Sequence, residues 1–303
     1  MEFDEESYDW RPQSCPICEL PPVKYVGQRG GRAHREGIGV ETEIWSCGNC
    51  GLLFPNPMPI PVNGLAQHYG VDADVWFAAH DETVKLSTAV DMVERAERLL
   101  GRTGRLLDVG VGRGEVLAAA KAKGWTVEGV EPSKTFAERV ETKIGAKIWN
   151  ASIEEVELPD ETYDCIFLAA VLEHLYDPDL VIGKIAKALR KDGLLYVDVP
   201  NERGLYFRAG NLYQKLKGRD WCVNLAPTFS PYHLFGFGPA SLKKLLSKHG
   251  LETKAWTVVA GTSLVPSRGG IAGKLESLAA KAVTAASRFG EMGTYIETWA
   301  AKS

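Results

Sequence analysis

The chain has 303 residues, of which 45% are hydrophobic and 24% charged, with a formal net charge of −4. That composition is ordinary for a globular protein, and the length allows one large core plus a small accessory unit. The charge offers no general attraction for nucleic acid, no stretch approaches twenty consecutive apolar residues, so no membrane span is expected, and the acidic start Met-Glu-Phe-Asp-Glu-Glu lacks the apolar core of a secretory signal.

Residues 1–10 read as a disordered tail, and residues 11–60 as a zinc ribbon. Cys15 and Cys18 form one Cys-x-x-Cys unit and Cys47 and Cys50 a second, with 28 residues between the units. Two sulfurs at this spacing fill two corners of a tetrahedron, and two such knuckles complete a closed Zn²⁺ site with no room for a catalytic water. A redox pair and a metal-free knuckle are the rival readings. Four of the six cysteines in paired units argue for a metal in a reducing, cytoplasmic compartment, not a disulfide framework. About 50 residues could hardly fold on their own core, so the metal is expected to supply much of the stability. Arg29, Arg32, His34 and Arg35 cluster at the ribbon tip, although residues 11–60 as a whole carry a net charge of only +1. Pro55, Pro57, Pro59 and Pro61 suggest an extended linker leaving the ribbon.

Residues 61–303 read as one α/β domain. The aromatics His68, Tyr69, Trp76 and Phe77 suit core or lid packing. A helix is expected over 83–101, with Val84, Ala89, Val93, Ala96 and Leu100 on one face. The apolar run at 105–109 then enters a loop with Gly110, Gly112 and Gly114, and a helix-forming run follows. Glycines permit positive φ and a close approach of ligand to backbone. Seventeen residues beyond Gly114, the next apolar run ends in Glu131, placed to accept both hydroxyls of a ribose. The bland alternative is a tight strand-helix turn. The spacing is GxGxG, not the GxGxxG of dinucleotide folds, and Asp108 and Glu115 flank it. Negative charge there disfavours a pyrophosphate and suits a cation, such as the sulfonium and ammonium of S-adenosylmethionine.

Further strands are expected near 125–130, 146–150, 164–169, 194–199, 253–259 and 293–301, with helices at 114–123, 134–143, 179–190 and 239–249. This alternation implies a mainly parallel sheet covered on both faces. Residues 201–238 form a long aromatic excursion from the end of a strand, where open α/β sheets bind ligands. Residues 260–291 form a second insertion. Its apolar stripe Ile271, Leu275, Leu278, Ala282, Ala286 and Phe289 suggests a helix packed on its own domain, with a homodimer contact or an acceptor lid as the alternatives.

Together these motifs resemble the class I S-adenosylmethionine-dependent methyltransferases. The run Leu-Asp-Val-Gly-Val-Gly-Arg-Gly from Leu107 matches their first motif and Val130-Glu131 their second. The segments starting at Ser152, Leu158, Leu172 and Leu189 are similar to later ones, so that the resemblance covers about residues 84–260. It implies a Rossmann-like seven-stranded sheet whose last strand inserts beside the fifth. It also implies that Asp108, Gly110, Gly112, Gly114 and Glu131 hold S-adenosylmethionine, with Ile153 at the adenine beside Glu154, the carbonyls of Ala169 and Ala170 at the ammonium, and Tyr69 over the cofactor.

Methyl transfer is an in-line displacement, and a hydroxyl acceptor usually needs a base within reach. His233 in the excursion and His174 after the fourth strand are the candidate bases, and Asp198 and Asn201 could orient the acceptor. The expected acceptor is a small molecule or saccharide, methylated at oxygen. Three alternatives stand beside it: a sugar C-methyltransferase, an RNA methyltransferase using the ribbon for capture, and a non-catalytic scaffold.

Overall fold

The computed structural model describes residues 7–69, 82–226, 228–260, 270–287 and 289–303. It divides into two compact units, the first made of Met1–Val62, Asp198–Lys244 and Trp256–Thr298, the second of Asn63–Val197, Leu245–Ala255 and Trp299–Ser303.

In the first unit, β1 (Tyr8–Arg11) pairs antiparallel with β5 (Met58–Pro61), and β2 (Pro22–Arg29), β3 (Thr42–Cys47) and β4 (Leu53–Pro55) form a three-stranded antiparallel sheet. Part of the segment read as a tail is therefore strand; residues 1–6 lie outside the described residues. The proline segment is likewise no solvated linker, because Pro55, Pro59 and Pro61 are buried within β4 and β5.

The small sheet does not stand alone. The Gln28 amide donates to Asp220 O at 2.8 Å and the Cys222 amide to Gln28 O at 2.9 Å, so the excursion completes the β2 edge. On the opposite edge, Leu53 and Gly236 exchange both backbone bonds, at 3.0 and 2.8 Å. Edge strands with unpaired amides invite foreign pairing, and this sheet has both edges engaged within its own chain. Cys222 and Leu225 of the excursion join Ile44 and Leu53 in one buried cluster, against which Val26 packs.

The excursion itself carries a helix, Leu205–Leu216, on which the helix Gly270–Ala286 packs. The stripe expected to anchor that second helix points the other way: Leu278, Ala282, Ala286 and Phe289 are exposed, while Val283, Thr284 and Ser287 lie inward. The side chains of Ile271 and Leu275 lie outside the described ones. Asn201, expected near an acceptor, is fully buried and donates to the carbonyls of Glu291 and Gly293 at 3.0 and 2.8 Å. Its amide pins a chain reversal, which makes it structural.

The central sheet comprises β6 (Arg105–Val109), β7 (Thr126–Val130), β8 (Lys147–Trp149), β9 (Tyr163–Ala169), β10 (Leu189–Pro200), β11 (Leu251–Val259) and β12 (Tyr295–Lys302), in the order β11-β12-β10-β9-β6-β7-β8. The expected seven strands are present, with the last beside β10. β6 pairs in parallel with both β7 and β9, and β7 with β8. Strands covered on both faces read as unbroken apolar runs, as in Cys165, Ile166, Phe167 and Leu168 of β9, all fully buried.

In the second unit, Leu106, Val127, Phe167, Tyr196 and Trp299 form one sheet face of a core closed by helices Glu82–Leu100 and Glu115–Ala122. Ala89, Val93 and Ala96 recur at helical spacing and are buried there, with Leu100 packed at the margin; Val84 has no described side chain. The Trp299 ring meets Phe167 at 5.6 Å and Tyr196 at 4.9 Å between centroids. Among the described residues, no helix is long and apolar enough to cross a membrane.

One buried acid ties the start of β6 to β9. Asp164 Oδ2 accepts the Arg105 amide at 2.7 Å, and the Arg102 and Arg190 guanidinia lie at 2.6 and 3.2 Å from its carboxylate. Burial alone would raise this carboxyl, but the Arg105 amide and the two arginines outweigh it and hold it below the usual range. Gly104 leaves the necessary room, since a Cβ there would sit 2.2 Å from Oδ2. Asp164→Asn should cost about 2 kcal/mol in urea unfolding at pH 7. Because the folded pKa is depressed, the wild-type advantage should be complete above about pH 4 and vanish as the pH falls through the lower folded value. A difference that persists undiminished in acid would contradict this assignment.

Candidate active site

The second unit brings most of the predicted cofactor residues together at the C-terminal ends of β6, β7 and β9. Gly110, Gly112 and Gly114 have φ of 76°, 51° and 81°, all in the left-handed region that other residues avoid. Gly110 has a second constraint, because a Cβ there would come within 2.7 Å of Val171 Cγ2. The helix Glu115–Ala122 starts directly from Gly114.

Glu131 reaches back from the end of β7. Its Oε2 accepts the Gly112 amide at 3.2 Å, and its Oε1 accepts the Ser133 amide at 2.9 Å. The side chain is only slightly exposed, and burial pushes its pKa up to about 7 against the two amides, which favour the ionised form. Asp108 is also buried and raised well above its ordinary value, first by burial and then by the charges of Glu115 and Glu131. Glu115 Oε1 is sealed from solvent without a hydrogen-bond partner among the described residues. Three acids thus surround a loop of left-handed glycines. Such a site repels phosphate and favours a ligand that brings positive charge and hydroxyl donors. An adenosyl sulfonium has both, so the residues fit the cofactor expected from the motifs.

A second cluster in this unit surrounds the turn after β8. Ile153 is buried, and Glu154 Oε1 accepts from the Tyr69 hydroxyl and the Tyr176 amide, each at 3.1 Å. Lys184 Nζ donates to the Glu154 carbonyl at 2.6 Å and holds the turn from below. Tyr69 is thereby tied to Glu154. His68 beside it donates its Nε2–H to the His174 carbonyl at 3.0 Å, and burial, then the neighbouring His174, pushes its pKa down to about 3. His174 stands in the short 3₁₀ turn Leu172–His174, five residues beyond the end of β9. Ala169 closes β9, and Ala170 holds φ at 52°. A left-handed alanine costs roughly 1–2 kcal/mol and turns the chain sharply at the strand end.

In the first unit, the sulfurs of Cys15, Cys18, Cys47 and Cys50 all lie within 4.8 Å of one another. Cys15 and Cys50 are 3.7 Å apart, close to the roughly 3.8 Å that Zn–S bonds of about 2.3 Å set across a tetrahedron. Asn49 donates its amide to Cys47 Sγ at 3.4 Å. The neighbouring Cys15 thiol and burial push the Cys50 thiol upward. His233 lies elsewhere in this unit, lining a cavity with Arg29 and Tyr232.

A family profile described as a methyltransferase domain matches residues 80–255, more than half of the chain. The chain is an S-adenosylmethionine-dependent methyltransferase of class I. It is 25% identical over 169 residues to the ubiquinone biosynthesis O-methyltransferase of Photobacterium profundum, covering 54% of this chain and 69% of that protein. It is 29% identical over 140 residues to the (S)-coclaurine N-methyltransferase of Papaver somniferum, covering 44% of this chain and 38% of that one. Among solved structures, a SAM-dependent methyltransferase from Archaeoglobus fulgidus superposes with a TM-score of 0.50 at 18% identity, covering 72% of this chain and 94% of that one, a likeness of fold.

For this methyltransferase, sequence reasoning identified the loop and Glu131 but missed three features. These are the Ser133 amide on Glu131, the bond from His68 to the His174 carbonyl, and the cavity beside His233. Only the first had a local signal, a serine two residues after the acid.

Proposed function

We propose that this methyltransferase acts on a hydroxyl of a small molecule or saccharide, with a histidine taking the proton. The observation that carries the reading is His233, which shares a cavity with the hydroxyl-bearing Tyr232 and Thr228. A hydroxyl must lose its proton as it is methylated, and an imidazole nitrogen within hydrogen-bond reach is suited to receive it. His174 is the second candidate. The name of the Photobacterium relative, an O-methyltransferase, supports oxygen.

S-adenosylmethionine supplies a methyl group already activated by positive sulfur. In this reading Glu131 accepts the ribose hydroxyls, and Asp108 braces the loop beside the amino-acid portion. Gly110, Gly112 and Gly114 let that portion pass. Ile153 meets the adenine, with Tyr69 steadying the adjacent turn through Glu154. The carbonyls of Ala169 and Ala170 accept from the ammonium. Cys15, Cys18, Cys47 and Cys50 hold a structural Zn²⁺ that keeps the small sheet in register.

The RNA reading draws less support from the ribbon tip than the count of its basic residues suggests. Arg32 is held by Glu41 through bonds of 2.8 and 3.1 Å, Arg35 pairs with Glu36 at 3.2 Å, and Arg29 lines the cavity. These carboxylates offset part of the positive charge at the tip and so weaken its attraction for phosphates.

Glu131→Ala should weaken S-adenosylmethionine binding by about 2–4 kcal/mol in calorimetry. In the free protein the Glu131 pKa is raised, so its ionised, accepting form is lost as the pH falls through about 7. Affinity should therefore plateau above pH 7 and decline below it, and Glu131→Gln should show no such slope. Affinity that ignores both the substitution and the pH would remove Glu131 from the site.

Once an acceptor is found by screening hydroxylated and amino compounds with labelled cofactor, His233→Gln should lower kcat by about 10²–10⁴-fold and leave cofactor affinity intact. Full turnover in that variant would shift the role to His174 or to no histidine. Metal analysis should find one zinc per chain. Stripping it with a chelator, or Cys15→Ser, should destabilise the first unit by several kcal/mol, on the scale of structural zinc sites; unchanged unfolding after stripping would refute the structural role.

A further inference from the structure

The helix Leu205–Leu216 in the first unit keeps two of its large aliphatic side chains on the outside. Its inner face is fixed by packing and by polar bonds. Phe207 is buried there. Asn211 Oδ1 accepts the Val223 amide at 2.8 Å, and its Nδ2 donates to Asn224 Oδ1 at 2.6 Å. A Cβ on Gly210 would come within 2.7 Å of Val223 Cγ2, so the contact is close. At about 100° per residue, Phe207, Gly210, Asn211 and Gln214 share this side. Arg208, Leu212 and Leu216 recur at every fourth residue on the other side, with Tyr213 next to the leucines. Leu212 and Leu216 are 58% and 79% exposed.

Single exposed leucines are common on proteins, so exposure alone assigns nothing. The charge around this pair does. Residues 205–219 contain Arg208, Lys215, Lys217 and Arg219 and no acid, in a chain whose net charge is −4. All four cations are exposed, and none forms an ion pair among the described residues. Arg208 and Lys215 border the leucines on one side. Lys217 follows on the other, its Nζ 5.6 Å from the Tyr213 ring centroid. The Arg219 guanidinium lies 4.6 Å from the Trp221 ring centroid. The next acid, Asp220, accepts from the Tyr25 hydroxyl at 2.8 Å. The helix Gly270–Ala286, which packs on this one, repeats the pattern: Leu278 is exposed, with exposed Lys274 and Lys281 about a turn before and after it.

We propose that the outer face of helix Leu205–Leu216 docks on the surface of a bilayer that contains anionic lipids. Leu212 and Leu216 then sit among the headgroups, and Arg208, Lys215, Lys217 and Arg219 meet their phosphates. An aliphatic line bordered by cations suits that boundary on both counts. The leucines gain by leaving water, and each cation gains from the negative surface potential. Tyr213 adds an apolar ring with a polar tip. The helix lies on the membrane and does not cross it, since no described helix is long and apolar enough to do so. Two other occupants fit less well. A nucleic acid would meet the cations but gain little from leucines, because bases stack on aromatic faces. A second copy docking through the same patch about a two-fold axis would set cations against cations.

The test is flotation of the full chain with lipid vesicles. Equimolar phosphatidylglycerol and phosphatidylcholine should carry the protein, and pure phosphatidylcholine should bind it at least about tenfold more weakly. Binding to the anionic vesicles should fall as salt is added. Leu212→Ser combined with Leu216→Ser should weaken it by at least about tenfold, and Lys215→Gln combined with Lys217→Gln by a similar factor. These four side chains are exposed, so both variants should keep wild-type unfolding and S-adenosylmethionine affinity. Should the leucine variant fail to fold, the lysine variant and the comparison of the two vesicles decide. No flotation with the anionic vesicles, equal flotation with both kinds, or flotation that survives the substitutions overturns the proposal. Tighter binding to oligouridylate than to the anionic vesicles would give the face to nucleic acid. Self-association without lipid that the leucine substitutions abolish would give it to a second copy, and either result overturns the lipid assignment. None of these measurements needs turnover, so they are read apart from the acceptor and the histidine.

Discussion

A buried carboxylate that bridges two backbone amides organises the catalytic half of this protein. Glu131 takes the Gly112 amide with one oxygen and the Ser133 amide with the other. The first contact fixes the loop after β6, and the second fixes the entry to the helix Lys134–Ile144. Through one side chain, β7 sets the shape of the crossover beside it. The cost is electrostatic. Asp108 and Glu115 share the neighbourhood, and burial drives Asp108 and Glu131 toward their neutral forms. A site prepared at this expense answers to a ligand that is cationic at one end and rich in hydroxyls at the other.

The first unit solves a different problem. Its three-stranded sheet is too small to bury a core of its own, and each of its outer strands would expose a row of amides. Both needs are met by chain that arrives far later in the sequence. Asp220 to Cys222 close one edge, Gly236 closes the other, and Cys222 and Leu225 fill the interior. The cysteine cluster ties the knuckles together at the far turns. An N-terminal ribbon added to an enzyme would be expected to be separable. This one shares its core with the excursion, and the same folding event builds the wall on which Arg29, Tyr232 and His233 meet.

The polar groups sort into two kinds once their partners are known. Asn201, Asp164 and Glu202 are saturated by internal bonds, and their chemistry is structural. Glu115 Oε1 and Glu154 Oε2 are sealed yet lack partners among the described residues, as do Arg105 Nε, Gln214 Oε1 and Trp256 Nε1 elsewhere. Buried polar atoms are mostly satisfied in native proteins, and the two carboxylate oxygens stand apart by their place around the loop and the turn that would hold the cofactor.

By itself the sequence determined whatever depends on near neighbours in the chain. Apolar runs of strand length alternating with helical periodicity specify the parallel sheet, because burial of both faces leaves no other pattern. Three glycines at alternate positions and an acid at the next strand end specify the loop and Glu131. Two Cys-x-x-Cys units specify the four-sulfur cluster. Tertiary structure alone decided what depends on distant partners. The proline segment read as a linker and became buried strand, since its partner, β1, lay in a segment that looked like a tail. Leu278, Ala282, Ala286 and Phe289 of the stripe face outward, since no periodicity records which neighbour a helix will meet. Arg29 looked like one of four exposed basic groups, and only the fold gave Arg32 and Arg35 their carboxylates and left it without one. Charge in a sequence can be counted, but its energy depends on burial and on what stands within a few ångströms, and both are properties of the folded chain.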